Sequence, residues 1–210
     1  MIIQSPDPQY SLLHAEIYKA PKHDCYFVRL PKNAGTYTKH ILVKQGWNKI
    51  PHHQLPDDFN TRSNKIIPIR EPIDRYIAGV AQDTFIGHLK CDFDDPVDIK
   101  KIFDTISFSP HTGRQVDMLH NIDTDSCTFF SVDQDYTNKL FKYLLQKFDI
   151  YIPLNDYYKN ANKHSSDDDE SKIYVKEKIS RLLEQPAYLE KVKEYFRPDI
   201  DFYCTVLKPL

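Results

Sequence analysis

Short apolar runs rich in β-branched and aromatic residues alternate along this chain with longer stretches in which apolar residues recur every three or four positions. That alternation is the pattern of strands interleaved with amphipathic helices and predicts an α/β fold. Strands are predicted over Tyr26–Leu30, Lys65–Ile69 and Thr128–Val132, with a short one near Ile150–Ile152. Pro68 sits awkwardly in the second, because proline removes a ladder hydrogen bond. Helices are predicted over Thr36–Gln45, stopped by Gly46, over Pro72–Asp83, with proline in its first turn, and over Pro96–Ile106. Three more follow at Thr137–Phe148, Ser171–Glu184 and Pro186–Phe196. No internal repeat interrupts this order. The stretch Asn160–Ser171 reads as an exposed loop, and its acidic run Asp167–Glu170 suits a solvated face or a helix start better than a metal site.

A chain of 210 residues is most simply one domain, 1–210, large enough to bury a core without staples. The net charge of −2 gives no global case for binding nucleic acid or a membrane surface, so any basic site is local. The four cysteines, Cys25, Cys91, Cys127 and Cys204, form no metal-binding spacing and read as buried free thiols. No basic, apolar leader and no run near the roughly 18 apolar residues of a membrane span is present, so a cytoplasmic protein without a membrane anchor is expected.

Two segments carry chemistry. The strand from Cys25 runs into Leu30–Thr38 (LPKNAGTYT), where one lysine, a flexible glycine, two hydroxyls and the N–H groups of a helix start converge as an anion cradle. The nucleotide-binding P-loop places its lysine after the second glycine of Gly-x-x-x-x-Gly-Lys-[Ser/Thr], whereas Lys32 here precedes Gly35. A second strand-to-helix segment, Ile69–Ala78 (IREPIDRYIA), repeats the design with Arg70 and Arg75.

The first segment resembles the 5′-phosphosulfate loop of sulfotransferases, in the version of the carbohydrate sulfotransferase branch, and the second resembles that family's 3′-phosphate motif. The family's serine falls on Ala78, which removes one hydroxyl donor. Weaker likenesses run on through Ser109–Gln115 (a His-x-x-x-Gln element), Thr128–Val132, Asn160–Ser166 and the closing stretch Tyr195–Tyr203. The resemblance implies a three-layer α/β/α P-loop-like fold with a central, mainly parallel sheet, and a donor, adenosine 3′-phosphate 5′-phosphosulfate (PAPS), bound at the carboxyl ends of the strands without a metal.

By that resemblance Pro31, Lys32, Asn33, Ala34, Gly35, Thr36, Tyr37 and Thr38 hold the 5′-phosphosulfate, with Lys32 meeting charge on the leaving oxygen. Arg70 grips the 3′-phosphate, and Ala78 stands where a further contact is expected. Arg75 reads as a phosphate ligand or a structural ion pair, with the structural role favoured. Tyr76 and Phe85 read as core residues ahead of adenine stacking. A hydroxyl acceptor needs a general base, and position in the family points to His53 or His52, with His53 preferred and His111 next. The implied acceptor is a hydroxyl or amine of a saccharide, walled by Gly46–Asn64 and Gly87–Gln115. Two other classes stay open: a nucleotide-dependent phosphotransferase on the same scaffold, and a binding protein that has lost turnover.

Overall fold

The computed structural model describes residues 1–5, 8–61, 63–153 and 169–207; the segment Asn160–Ser166 and the first two residues of its acidic neighbour, Asp167 and Asp168, lie outside them. Five strands form one sheet: β1 (Glu16–Lys19), β2 (Cys25–Arg29), β3 (Asn48–Ile50), β4 (Asn64–Ile69) and β5 (Cys127–Ser131), in the order β3-β1-β2-β4-β5. β2, β4 and β5 run parallel, and β1 is antiparallel to both its neighbours. The helices are α1 (Gly35–Lys44), α2 (Pro72–Phe85), α3 (Pro96–Thr105), α4 (Gln115–Met118), α5 (Tyr136–Phe148), α6 (Glu170–Leu182), α7 (Pro186–Tyr195) and α8 (Arg197–Val206). The expected α/β architecture with a mainly parallel central sheet is present.

Strand alternation decides which helices cover which face. Tyr26, Val28, Ile67 and Ile69 pack against Val116 and Met118 of α4 and Phe202 of α8. Cys25, Phe27 and Ile66 pack on the opposite face against Ile41 and Leu42 of α1 and Leu140 and Leu144 of α5. Each such fully buried aliphatic or aromatic side chain contributes about 1.5–3 kcal/mol before entropy is counted. A third apolar cluster joins α2, α3, α6 and α7 through Tyr76, Val80, Phe103, Ile179, Val192 and Phe196. Tyr76 is therefore core, as expected, whereas Phe85 at the end of α2 is exposed.

Further expectations are corrected. No strand forms at Ile150–Ile152; Ile152 instead buries its side chain beneath the sheet with Tyr136 and Leu144 and makes no ladder. The short strands β1 and β3 were not predicted. Of the four free cysteines only Cys25 is buried, while Cys204 is exposed. Pro68 is accommodated because the β2–β4 register ends at Phe27 opposite Ile66, two residues earlier. Beyond that point the Asn33 side chain takes over, donating to the Pro68 carbonyl at 2.9 Å. No helix among the described residues is long and apolar enough to cross a membrane.

Candidate active site

β2 and β4 are parallel neighbours, so the loops that follow them emerge side by side at the carboxyl edge of the sheet and start α1 and α2, the usual ligand position in such sheets. A cleft of about 770 Å³ opens there, lined by Arg29, Pro31, Lys32, Ala34 to Tyr37 and Arg70 from these segments. Gln82 of α2, Pro110 and His111, and residues 132–134, 136 and 137 after β5 complete the wall, with His14 from the N-terminal region.

The loop after β2 is bent by left-handed residues other than glycine: Lys32 has φ 62° and Ala34 φ 52°. Such residues are uncommon away from functional turns, because Cβ crowds the following carbonyl. Gly35 itself has ordinary backbone angles. It is needed for space, since a Cβ there would lie 2.3 Å from Cγ of Arg29. Ala34, the N-cap of the ten-residue α1, offers no capping side chain, and residues 34–37 line the cleft, so the helix presents an anion-favouring terminus there.

Arg29 reaches Thr36 Oγ1 with its Nη2 at 3.0 Å and pairs through Nη1 with Glu16. Burial disfavours the Glu16 carboxylate, but Lys49, Arg29 and Lys39 outweigh it and hold the pKa down at about 2. Lys32 Nζ donates to Gln82 Oε1 at 3.1 Å. Arg70 extends one N–H toward the Lys32 carbonyl at 3.5 Å and otherwise faces the cleft. Lys32, Arg29 and Arg70 thus place three cations around the helix start, with Asp133, itself paired to Lys139 at 2.7 Å, on the far wall.

Gln115 locks the two motif loops together. Its Oε1 accepts from Asn33 Nδ2 at 2.6 Å and from the Arg70 N–H at 3.1 Å, while its Nε2 donates to the Arg70 carbonyl at 2.9 Å. Asp199 of α8, in the closing stretch, accepts from the N–H groups of Gln115 and Val116 at 2.7 and 2.9 Å. Burial pushes the Asp199 carboxyl up to about 6, against the opposing pull of Arg75 and those two N–H bonds. Arg75 is fully buried and donates to the carbonyls of Pro31, Pro110 and Gly113, so it ties the first loop to the His111 segment.

Not every expected site residue reaches the cleft. Pro31, Lys32, Ala34, Gly35, Thr36, Tyr37 and Arg70 line it. Asn33 is fully buried, Thr38 bonds Tyr136 and the Ala34 carbonyl, and Ala78 is buried on α2; none of the three lines the wall. His52 and His53 lie in a short turn after β3, where His52 Nε2 engages the Ala15 carbonyl at 3.0 Å, and neither lines the cleft. From the expected acceptor walls, Pro110 and His111 reach the cleft and no described residue of 46–64 does.

His111 is the histidine with the geometry of a base. Its Nδ1 lies 2.8 Å from Oδ1 of Asp83, a fully buried carboxylate on α2 that also accepts from Ser109 Oγ at 2.7 Å and from Thr112 Oγ1 at 3.3 Å. An ionised carboxylate only accepts, so it fixes the proton on Nδ1 and leaves Nε2 as the basic nitrogen of the neutral ring. Gly79 makes this contact possible by letting α2 approach: a Cβ there would meet the His111 carbonyl at 2.4 Å. Asp83, His88 and His111 are also the one grouping among the described residues with three ligating atoms close enough for a metal ion. The bonds from His111, Ser109 and Thr112 already satisfy the Asp83 carboxylate without one.

Gln82, Asp83 and His14 were not singled out from the sequence. An acid on the otherwise apolar stripe Tyr76, Val80, Asp83 of α2 was the available signal. No protein-family model, curated protein or solved structure matches the chain.

Proposed function

We propose that this chain is a PAPS-dependent sulfotransferase acting on a hydroxyl acceptor, with a saccharide as the acceptor class. The observation that carries the reading is the meeting, in one cleft at the carboxyl edge of parallel strands, of Lys32, the uncapped start of α1, Arg70 and the carboxylate-oriented His111. The fit to a bisphosphorylated nucleotide rests on the donor set: three cationic side chains and a helix terminus in a cleft whose volume of about 770 Å³ falls within the range of small-molecule sites. The motif likeness selects sulfuryl over phosphoryl transfer, because Lys32 precedes Gly35.

PAPS supplies an activated sulfuryl group whose transfer, like that of a phosphoryl group, depends on positioning and charge stabilisation. The N–H groups at the start of α1 and the Thr36 hydroxyl hold phosphate oxygens. Lys32 neutralises charge at the leaving oxygen. Arg70 offers a planar fork to the 3′-phosphate, a geometry lysine does not match. His111 takes the acceptor's hydroxyl proton on Nε2, and Asp83 keeps its ring in the required tautomer and stabilises the imidazolium that results. This reading moves the base from His53 and His52 to His111. The missing serine at Ala78 leaves no gap in the cleft wall, since that position is buried on α2.

The test is incubation with PAPS carrying radiolabelled sulfate and a panel of mono- and oligosaccharides. Label on a saccharide, lost in His111→Asn, supports the reading. Phosphoryl transfer from ATP with Mg²⁺ in its place assigns a phosphotransferase, and donor binding with no transfer to any acceptor assigns a binding protein.

A further inference from the structure

Gln82 Oε1 accepts two ammonium groups at once: Lys32 Nζ at 3.1 Å and Lys172 Nζ at 2.9 Å. Lys172 comes from α6, is buried (1 % exposed), and has its ammonium 4.3 Å from the centre of the Phe85 ring. An ammonium only donates, so both lysines select the amide oxygen and exclude the flipped amide, which would set N–H against N–H. The orientation of this glutamine is therefore fixed by its neighbours. Its NH₂ group is turned away from them, makes no hydrogen bond to a described residue, and belongs to a side chain in the cleft wall. Two polarising cations on the oxygen also draw electron density from the amide nitrogen and strengthen its N–H groups as donors.

We propose that Gln82 is an anion-binding residue of the cleft, donating from Nε2 to an oxygen of the transferring group beside Lys32, and that Lys172 is the positioning residue that locks it in the donor orientation. This inference rests on the reading of the cleft as a PAPS site. It assigns the 5′ end of the ligand a neutral, directional donor besides the lysine and the helix start, and it gives α6, none of whose residues lines the cleft, a part in the site through Gln82. A glutamine serving only as a bridge between two lysines would be improved by a carboxylate. A glutamine serving as a donor to an anion would be ruined by one.

That contrast makes Gln82→Glu the decisive variant, since it keeps the size and the bridge to both lysines while replacing N–H by an anionic oxygen. Titration calorimetry with PAPS should show at least a tenfold loss of affinity at an unchanged or raised melting temperature. The affinity for adenosine 3′-phosphate, which lacks the 5′ group, should stay within about twofold. Gln82→Leu, which removes the donor without adding charge, should also lose about tenfold for PAPS. Lys172→Met should lose a smaller factor, and no further loss should appear when it is combined with Gln82→Leu, because the two act in series. Wild-type protein that binds PAPS beside a Gln82→Glu variant that binds it equally well overturns the inference and leaves the cleft assignment standing. Wild-type protein that binds no PAPS overturns both.

Discussion

Replacing Arg75 by methionine separates a framework arginine from a phosphate ligand. Its guanidinium is fully buried and donates from Nε to the Pro31 carbonyl at 3.2 Å, from Nη2 to the Pro110 carbonyl at 2.9 Å and from Nη1 to the Gly113 carbonyl. A hydrogen bond involving a charged group contributes ~1.5–3 kcal/mol, and removing one member of a buried charged set costs ~3–5 kcal/mol. Three bonds made by one cation do not add, so about 4 kcal/mol is the working figure. For a chain of this size 1 kcal/mol moves Tm by ~2–4 °C, and Arg75→Met should melt ~8–16 °C lower. Arg70 makes the opposite prediction. It lines the cleft, and its one side-chain contact to the first loop is a long 3.5 Å approach to the Lys32 carbonyl. Arg70→Met should leave Tm within ~2 °C, yet weaken adenosine 3′,5′-bisphosphate about 10–100-fold, the equivalent of losing ~1.5–3 kcal/mol, with no effect on adenosine 5′-phosphate. Scanning calorimetry for Tm and titration calorimetry for affinity decide both. An Arg75→Met protein that melts like wild type but no longer prefers the 3′-phosphate would refute the division of roles.

Lys32→Ala should cut turnover far more than it weakens bisphosphate binding, and an unchanged rate would remove Lys32 from the mechanism. Asp83→Asn, which allows the wrong His111 tautomer, should lower kcat by about 10²–10⁴-fold, while His53→Ala should leave it unchanged; the reverse result would return the base to the turn after β3. Glu16, held at about 2 against an ordinary 4.5, contributes stability that is present above pH 4.5 and is lost as pH falls toward 2. Glu16→Gln should therefore be ~2 kcal/mol less stable at pH 7 by denaturant unfolding, a deficit that shrinks through that window; a deficit constant down to pH 2 would mean the charge is not its source.

The two strand–loop–helix units were legible because their signals are local. An apolar run, a proline or glycine punctuation and a periodic helix follow one another within about twenty residues in both β2–α1 and β4–α2. β1 and β3 escaped notice because each is four residues or fewer and includes a lysine, and their strand character comes from pairing with β2 and with each other. The apolar run at Ile150–Ile152 misled for the converse reason: a buried isoleucine serves a core equally well without a ladder. Within the site, the motif positions Lys32, Gly35, Thr36 and Arg70 were readable, but what each does locally was not. The role of Gly35 lies in its distance to Arg29, and the burial of Ala78 and Arg75 depends on how α2 docks. The Asp83–His111 pair spans 28 residues and the Gln82–Lys172 contact 90, so no spacing rule reaches them.

Titration calorimetry of the purified protein with adenosine 3′,5′-bisphosphate, in the presence of a chelator and beside ADP and ATP with Mg²⁺, tests the central claim most directly. The cleft geometry predicts metal-independent binding of the bisphosphate that weakens at least tenfold when the 3′-phosphate is absent. Binding of ATP only with Mg²⁺, or of no nucleotide at all, would contradict it.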